Sequence, residues 1–324
     1  MQLEYQLIAA FVLDLFLGDP RWLPHPVRAI GSFAVALESP LRRIIPSARI
    51  AGILTVLMVV GLSASITWGI VHVCTQNHPI FGAAVSIVII YSTIAVHDLA
   101  SHARTVHWAL ERSRIKTARE CVGRIVGRDT EGLDEAGITR ATVESVAESI
   151  VDGITAPLFF AIIAGPAGAV AYRATNTLDS TFGYMNDEHR EFGWASARLD
   201  DVANYIPARI TAPIISLAAL LLRLRAMQSL RTIFRDARKH SSPNAGFAES
   251  AVAGALGVQL GGLNHYFGQP EVKPFIGEPN EKLAAHHIRH SIRLAIVSSA
   301  LFLVLVIICR SLTLLIVNSG GIWL

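Results

Sequence analysis

Residues 51–73 read AGILTVLMVVGLSASITWGIVHV, an apolar run without one Asp, Glu, Lys or Arg. Crossing about 30 Å of hydrocarbon takes a helix of roughly 20 such residues. The stretch Ile50–Cys74 therefore predicts a membrane span and makes a bilayer the solvent of the fold. The turn TQNHP, with Pro79 as breaker, leads into IFGAAVSIVIIYSTIAV (80–96), which returns across the membrane before His97 and Asp98 and closes a helical hairpin, a span over 79–97. A third span is IRLAIVSSALFLVLVIICRSLTLLIV (292–317), whose Arg310 lies close enough to one end to snorkel.

Composition agrees. Of 324 residues, 52% are hydrophobic and 16% charged, against about a quarter charged in soluble domains. Mean hydropathy is +0.45. Apolar segments recur from end to end without a composition break, so the expectation is a single all-α, polytopic membrane domain over 1–324 with about five or six membrane-embedded segments. The net charge of +3 comes from Arg-rich stretches beside the spans, where cytoplasmic loops collect basic residues, and does not point to nucleic acid. Cys74, Cys121 and Cys309 lie far apart and form no CxxC, so they read as buried packing residues rather than a disulfide framework or zinc site.

Three further segments are ambiguous. Residues 3–18 hold the short apolar run Leu7–Leu17, interrupted by Asp14; without a basic leader or a small-residue cleavage site it reads as a retained helix. Ile154–Tyr172 is long enough to cross, yet Gly165-Pro166-Ala167-Gly168 breaks a helix and offers two half-helices in a re-entrant hairpin as the alternative. Ile206–Leu222 contains Arg209 and Pro213 and reads as a span with a polar start. Basic residues from Arg21 to Arg49 and from Arg104 to Arg128 put the flanking loops in the cytoplasm. The basic run Arg223–Lys239 joins them if 154–172 crosses, at the cost of turning residues 173–205 outward.

Four polar stretches carry more charge, Gly, Pro and aromatic residues than connectors need. GDPRWLPHPVRAIG (18–31) presents Asp19, Arg21, His25 and Arg28 on a proline-stiffened backbone, fit either for a preorganised anion or metal contact or for an interfacial turn anchored by Trp22. In GRDTEGLDEAGITRATVESVAESIVDG (127–153) a helix opening near Thr139 puts Arg140, Glu144, Glu148 and Asp152 four apart on one face. Adjacent carboxylates repel unless a cation or proton sits between them, so the stripe suits Mg²⁺ or a general base; a solvated face with an Arg140–Glu144 pair is the commoner fate of such a run. The stripe stops at Asp152 against an apolar segment, which favours function.

In AYRATNTLDSTFGYMNDEHREFGWASARLDDVANYIPAR (171–209), Arg173, Asn176, Asp179 and Ser180 share one face, and Arg198, Asp201 and Asn204 or Tyr205 another. Each set joins a cation to a carboxylate and an amide, as recognition of a polar substrate or a buried ion pair between helices would. SSPNAGFAESAVAGALGVQLGG (241–262) lets Ser242 cap a helix whose free N–H groups suit phosphate, and its small residues admit a close helix or a flat ligand. The chain has no GxxxxGK[ST], no GxGxxG after a strand, no HExxH and no GxSxG, so any nucleotide is held in an unfamiliar way. His97, His102 and His107 are too irregularly spaced for a metal and read as structural or surface residues.

Four blocks taken together, DLFLGDPRWLPHPVRAIG, the run from GRDTEGLDEAGITR to NTLDSTFGY, FGWASARLDDVANYIPARITA and SPNAGFAESAVAGALGVQLGG, resemble the CobD/CbiB family of adenosylcobinamide-phosphate synthases. The resemblance implies a late step of cobalamin biosynthesis at the cytoplasmic membrane. There an aminopropanol unit, usually its O-phosphate, is joined to the ring f propionate of adenosylcobyric acid with ATP hydrolysis and Mg²⁺. On that basis Asp129, Glu144, Glu148 and Asp152 are the candidates for Mg²⁺ and base, and Arg128, Arg173 and Arg198 for phosphate or corrin carboxylates. Asp19, His25 and Arg28 would complete one wall and Ser242, Asn244 and Gly246 another, with Asn176, Asp179, Asp200, Asp201 and Asn204 positioning the amino alcohol. The lipid bilayer and other late cobalamin enzymes are the implied partners. The rival reading is a corrinoid transporter or scaffold without chemistry, for which Asp14 and the broken helix at Gly165 speak and the lack of an inverted repeat speaks against.

Overall fold

The computed structural model describes residues 1–19, 26–183 and 189–319. Its helices are α1 (Leu3–Leu17), α2 (Pro26–Ile44), α3 (Ala48–Asn77), α4 (Pro79–Tyr91), α5 (Val96–Glu111), α6 (Ile115–Val122), α7 (Glu135–Ile150), α8 (Ala156–Phe182), α9 (Trp194–Leu221), α10 (Ala226–Asp236), α11 (Ala245–Leu256) and α12 (Ala285–Ser319). Five stretches are long and apolar enough to cross a bilayer: Ala48–Asn77, Pro79–Glu111, Glu135–Phe182, Trp194–Leu221 and Ala285–Val317. The protein is a polytopic, helical membrane protein. The described residues gather into two compact units, neither of them contiguous in sequence: Met1–Ala95 with Ile154–Ala203 and Leu303–Leu324, and Val96–Gly153 with Asn204–Phe302.

In the first unit, α2 was not anticipated as a helix. Its apolar residues Ile30, Phe33, Ala34, Leu37 and Leu41 recur at three and four, which turns one face onto Ala51, Val56 and Val59 of α3 and Val170, Ala174 and Leu178 of α8. Phe182 meets Phe192 edge to face at 5.0 Å, and Arg42 lies over the outer face of Phe192. The guanidinium of Arg310 donates to Glu4 Oε1 at 2.9 Å and to the carbonyl of Ile162 at 3.3 Å. Among the cysteines only Cys121 is buried; Cys74 is half-buried and Cys309 exposed, so the packing role expected of all three holds for one.

The proline-glycine break in α8 is real. Ala164 and Gly165 leave helical geometry, Gly165 at φ 63° and ψ −154°. The arms then fold back on each other: the rings of Phe160 and Tyr172 stack at 5.3 Å, whereas twelve residues of straight helix would separate them by about 18 Å. A side chain on Gly168 would overlap the carbonyl of Phe160.

The second unit holds α5, α6, α7, α10, α11 and an antiparallel hairpin that sequence patterning did not anticipate, β1 (Leu260–Tyr266) with β2 (Gln269–Ile276). Tyr266 pairs with Gln269, leaving a two-residue loop in which Phe267 (φ 52°) and Gly268 (φ 77°) both take left-handed backbone, the conformation that suits a tight hairpin.

The backbone of Gly165 lies in a region open essentially to glycine alone. Gly165→Ala is therefore expected to destabilise the detergent-solubilised protein by about 1–3 kcal/mol, read as a lowered midpoint in thermal unfolding; an unchanged midpoint would mean that the fold-back is not held at this residue.

Candidate functional site

The helix predicted to open near Thr139 starts a turn earlier, at Glu135, because Asp134 caps it: Asp134 Oδ1 accepts from the Gly137 N–H at 2.8 Å. One side of α7 is then packed almost without gap, and Glu144 on it is only 4% exposed. Neither oxygen of Glu144 is free. Oε1 accepts from the Gly261 N–H at 2.8 Å and Oε2 from Arg128 Nη2. Arg128 Nη1 donates to Asn264 Oδ1 at 2.8 Å. Arg140 does not pair with Glu144 as the helical spacing allowed; its guanidinium donates to the carbonyls of Gly261 and Leu263 and to Asn264 Oδ1. Two arginines and a glutamate thus bolt β1 to α7. Removing one partner of such a buried pair typically costs about 3–5 kcal/mol.

One turn beyond this bolt stands Glu148, open to solvent yet within electrostatic reach of Glu144, Arg128 and Lys273 of β2. A second carboxylate joins it from a direction the sequence did not indicate. Glu249 on α11 is 6% exposed, and burial, then Glu144 and Glu148, push its carboxyl well above the usual carboxylate range. Burial alone would lower Lys273, but Tyr266, Glu249 and Glu148 hold it above its ordinary value. His240 Nδ1 accepts from the Ser242 N–H at 2.9 Å, which leaves Nε2 to carry the proton of the neutral ring, 3.6 Å from Glu249 Oε1. Burial, with Lys273 nearby, lowers the His240 pKa. The result is two carboxyl groups, an ammonium and an imidazole around one acidic focus.

Beside it, the hairpin tip is stapled by Asp129, whose N–H donates to the His265 carbonyl at 2.8 Å and whose Oδ2 accepts from the Gly268 N–H at 2.7 Å. Between residues 128–133 and this tip lies a cavity of about 790 Å³, with Arg128, Asp129, Thr130, His265 and Phe267 in its lining. That volume is in the range of small-molecule sites.

The residues expected from sequence fall into two sets. Arg128, Asp129, Glu144, Glu148, Asp152, Asn204, Ser242, Asn244 and Gly246 belong to the second unit. Asp152 sits in a π-helical turn, Val151–Thr155, so it leaves the four-residue stripe. Asn244 rather than Ser242 is the N-cap of α11; the Ser242 Oγ, two residues earlier, accepts from the N–H groups of Asn244 and Ala245, both at 3.3 Å, which occupies donors expected to cradle phosphate. Asn244 Oδ1 accepts from Arg209 at 3.2 Å. Gly246 is a packing position, because a Cβ there would lie 2.3 Å from the Ala237 carbonyl oxygen.

The other set belongs to the first unit: Asp19, Arg28, Arg173, Asn176, Asp179, Arg198, Asp200 and Asp201. Arg28 is exposed in the first turn of α2. Asn176 Nδ2 donates to Asp200 Oδ1 at 3.4 Å, and the exposed Arg198 reaches Asp201 at 3.4 Å. His25 lies outside the described residues. Glu249, Lys273, His240 and Asn264 were missed. Only Glu249 left a signal, as the single charged residue of an otherwise apolar twelve-residue helix.

The sequence profile of the family described as CobD/Cbib protein matches residues 7–295. Cobalamin biosynthesis protein CobD of Geobacter metallireducens is 48% identical over 288 residues, 89% of this chain and 91% of the relative. The protein of the same name from Leptospira interrogans is 47% identical over 309 residues, covering 95% and 98%. Cobalamin biosynthesis protein CbiB of Salmonella typhimurium is 44% identical over 304 residues, covering 93% and 95%. No solved structure matches. With the profile and these relatives spanning nearly its whole length, the chain belongs to the CobD/CbiB family.

Proposed function

We propose that this protein acts in cobalamin biosynthesis, as the names of its relatives say of them, and that it does so as an ATP-dependent amide ligase at the cytoplasmic membrane. Its substrates are adenosylcobyric acid, aminopropanol phosphate and ATP, and the new amide forms at the ring f propionate. The observation that carries the reading is the convergence of Glu148 and Glu249 within electrostatic reach of each other and of Lys273, with His240 Nε2 3.6 Å from Glu249 Oε1.

A carboxylate is a poor electrophile. Amide formation therefore needs the γ-phosphoryl group of ATP to pass to a propionate oxygen with loss of ADP, after which the amine nitrogen attacks the acyl carbon and phosphate leaves. Glu148, the open member of the pair, suits the role of base, taking the ammonium proton so that nitrogen has a lone pair to offer. Lys273 supplies a fixed cation for phosphate oxygens.

The donor set fits Mg²⁺, but not as first expected. Glu144 has both oxygens taken and Asp129 has one on the Gly268 N–H, whereas Glu249 is a buried carboxylate whose neighbours Glu144 and Glu148 are acidic. Mg²⁺ is typically held by one or two carboxylates together with phosphate oxygens, so Glu249, giving up its proton as the ion enters, would hold it and leave Glu148 as the base. Bound there it would neutralise phosphate charge. Asp152, half-buried at the end of the same segment, remains a candidate for positioning.

Detergent-purified protein given adenosylcobyric acid, aminopropanol phosphate and Mg-ATP is expected to yield a corrinoid heavier by the amide-linked unit, only when ATP is present. Corrinoid that binds without product would instead favour a scaffold. Glu148→Gln should lower kcat by about 10²–10⁴-fold with an unchanged unfolding midpoint; full activity would remove Glu148 as base. Glu249 gives a pH test. Its folded pKa is raised, so the stability it contributes is fully present below the unfolded carboxylate value and is lost as pH rises through the folded one. Glu249→Gln, which keeps the neutral shape, should therefore be more stable than the parent near pH 8, by about 2–4 °C in Tm for each kcal/mol relieved. The gap should close toward pH 4. A constant gap would mean that the carboxyl is not held protonated.

A further inference from the structure

Just before α12 the chain reads GEPNEKLAAHHIRH (277–290), three histidines and two glutamates within fourteen residues. In the fold, Glu281, His286 and His287 bring one ligand atom each to within 4.8 Å of one another. Glu281 Oε2 lies 3.3 Å from His287 Nε2 and 3.8 Å from His286 Nε2. A tetrahedral ion with bonds of about 2.0–2.1 Å sets its donors about 3.3–3.4 Å apart. The two separations from Glu281 are within tenths of an ångström of that value, and the third lies within 4.8 Å, so rotation of the exposed His286 ring toward the ion would close the set.

The support around them is that of a prepared ligand set. His287 is 1% exposed, and its Nδ1 lies between the Ala284 N–H at 3.1 Å and the Ala284 carbonyl at 3.2 Å, a choice that binding through Nε2 would settle toward the carbonyl. An imidazole that binds metal through Nε2 presents Nδ1–H, and a backbone carbonyl is a usual acceptor for it. Glu281 is fixed from two sides: its N–H donates to the Gly257 carbonyl at 2.9 Å, and its second carboxylate oxygen accepts from Arg225 at 2.5 Å. Oε2 is thereby left facing the two rings. His286 stacks against His287 with ring centroids 3.9 Å apart, and His290, one helical turn on, meets His286 edge to face at 5.7 Å.

We propose that Glu281, His286 and His287 form a binding site for a divalent transition-metal ion such as Zn²⁺ or Co²⁺. Two imidazoles and a carboxylate suit these ions better than Mg²⁺, which takes oxygen ligands almost alone. Three protein donors leave a fourth position for water or an anionic oxygen. The site shares no residue with the carboxylates proposed for the ligase reaction, so either assignment stands or falls without the other.

The test uses the full chain in detergent, free of any histidine tag and stripped with chelator. Titrated with Co²⁺, it is expected to develop visible ligand-field absorption that saturates near one ion per chain. Zn²⁺ should displace the colour and raise the unfolding midpoint. His286→Ala, which removes a half-exposed donor, should leave the metal-free midpoint unchanged, weaken Zn²⁺ binding at least about tenfold and abolish the Zn²⁺-dependent rise. Glu281→Gln should weaken binding as well. Absent or clearly substoichiometric Co²⁺ uptake, or uptake that His286→Ala leaves untouched, would overturn the proposal.

Discussion

The acidic centre depends on the buried contact of Arg128 with Glu144. A carboxylate removed from water is tolerable only when its lone pairs are spoken for, and here one oxygen takes the Arg128 guanidinium and the other a backbone N–H of β1. Arg128 in turn shares Asn264 with Arg140. Because the Gly261 N–H and the Asn264 side-chain oxygen come from the hairpin, and Glu144 and Arg140 from α7, the contacts set the register of one element against the other. Lys273 stands on β2, so its place beside Glu249 and Glu148 follows from that register.

Neutralised in this way, Glu144 becomes a wall rather than a reagent. Its field still reaches Glu249 and helps to set how readily that carboxyl holds its proton. The division of labour among three glutamates is therefore environmental: one fully paired, one buried and inclined to stay protonated, one open to water. Placing like groups in unlike surroundings is how one site comes to hold a structural carboxylate beside reactive ones.

Much of the membrane architecture was legible because it is written locally. A run such as AGILTVLMVVGLSASITWGIVHV needs no partner to declare itself, and Gly165-Pro166 marks the break in α8 by sterics alone. The carboxylates of α7 were legible for the same reason, being one helical turn apart. The hairpin was not. Its β2 strand, QPEVKPFI, carries two prolines and no clean alternation, and what makes it a strand is pairing with β1 and the bolt to α7. Lys273 and His240 were lost with it, since their meaning lies in neighbours far off in sequence. The partner of Arg310 was missed for a related reason: Glu4, at the other end of the chain, is invisible to a local reading.

The hairpin has two strands, and an isolated pair of strands is barely stable in water. It is held instead by Arg128, Arg140 and Asp129, which all lie outside it. Local opening of β1 and β2 must then break those side-chain contacts, so the hairpin and the first half of α7 form one cooperative unit rather than a flap beside a rigid helix. Order at the Lys273 ammonium is inherited from a loop more than a hundred residues earlier in the chain, and any fluctuation that loosens residues 128–140 is felt at the charge balance around Glu249.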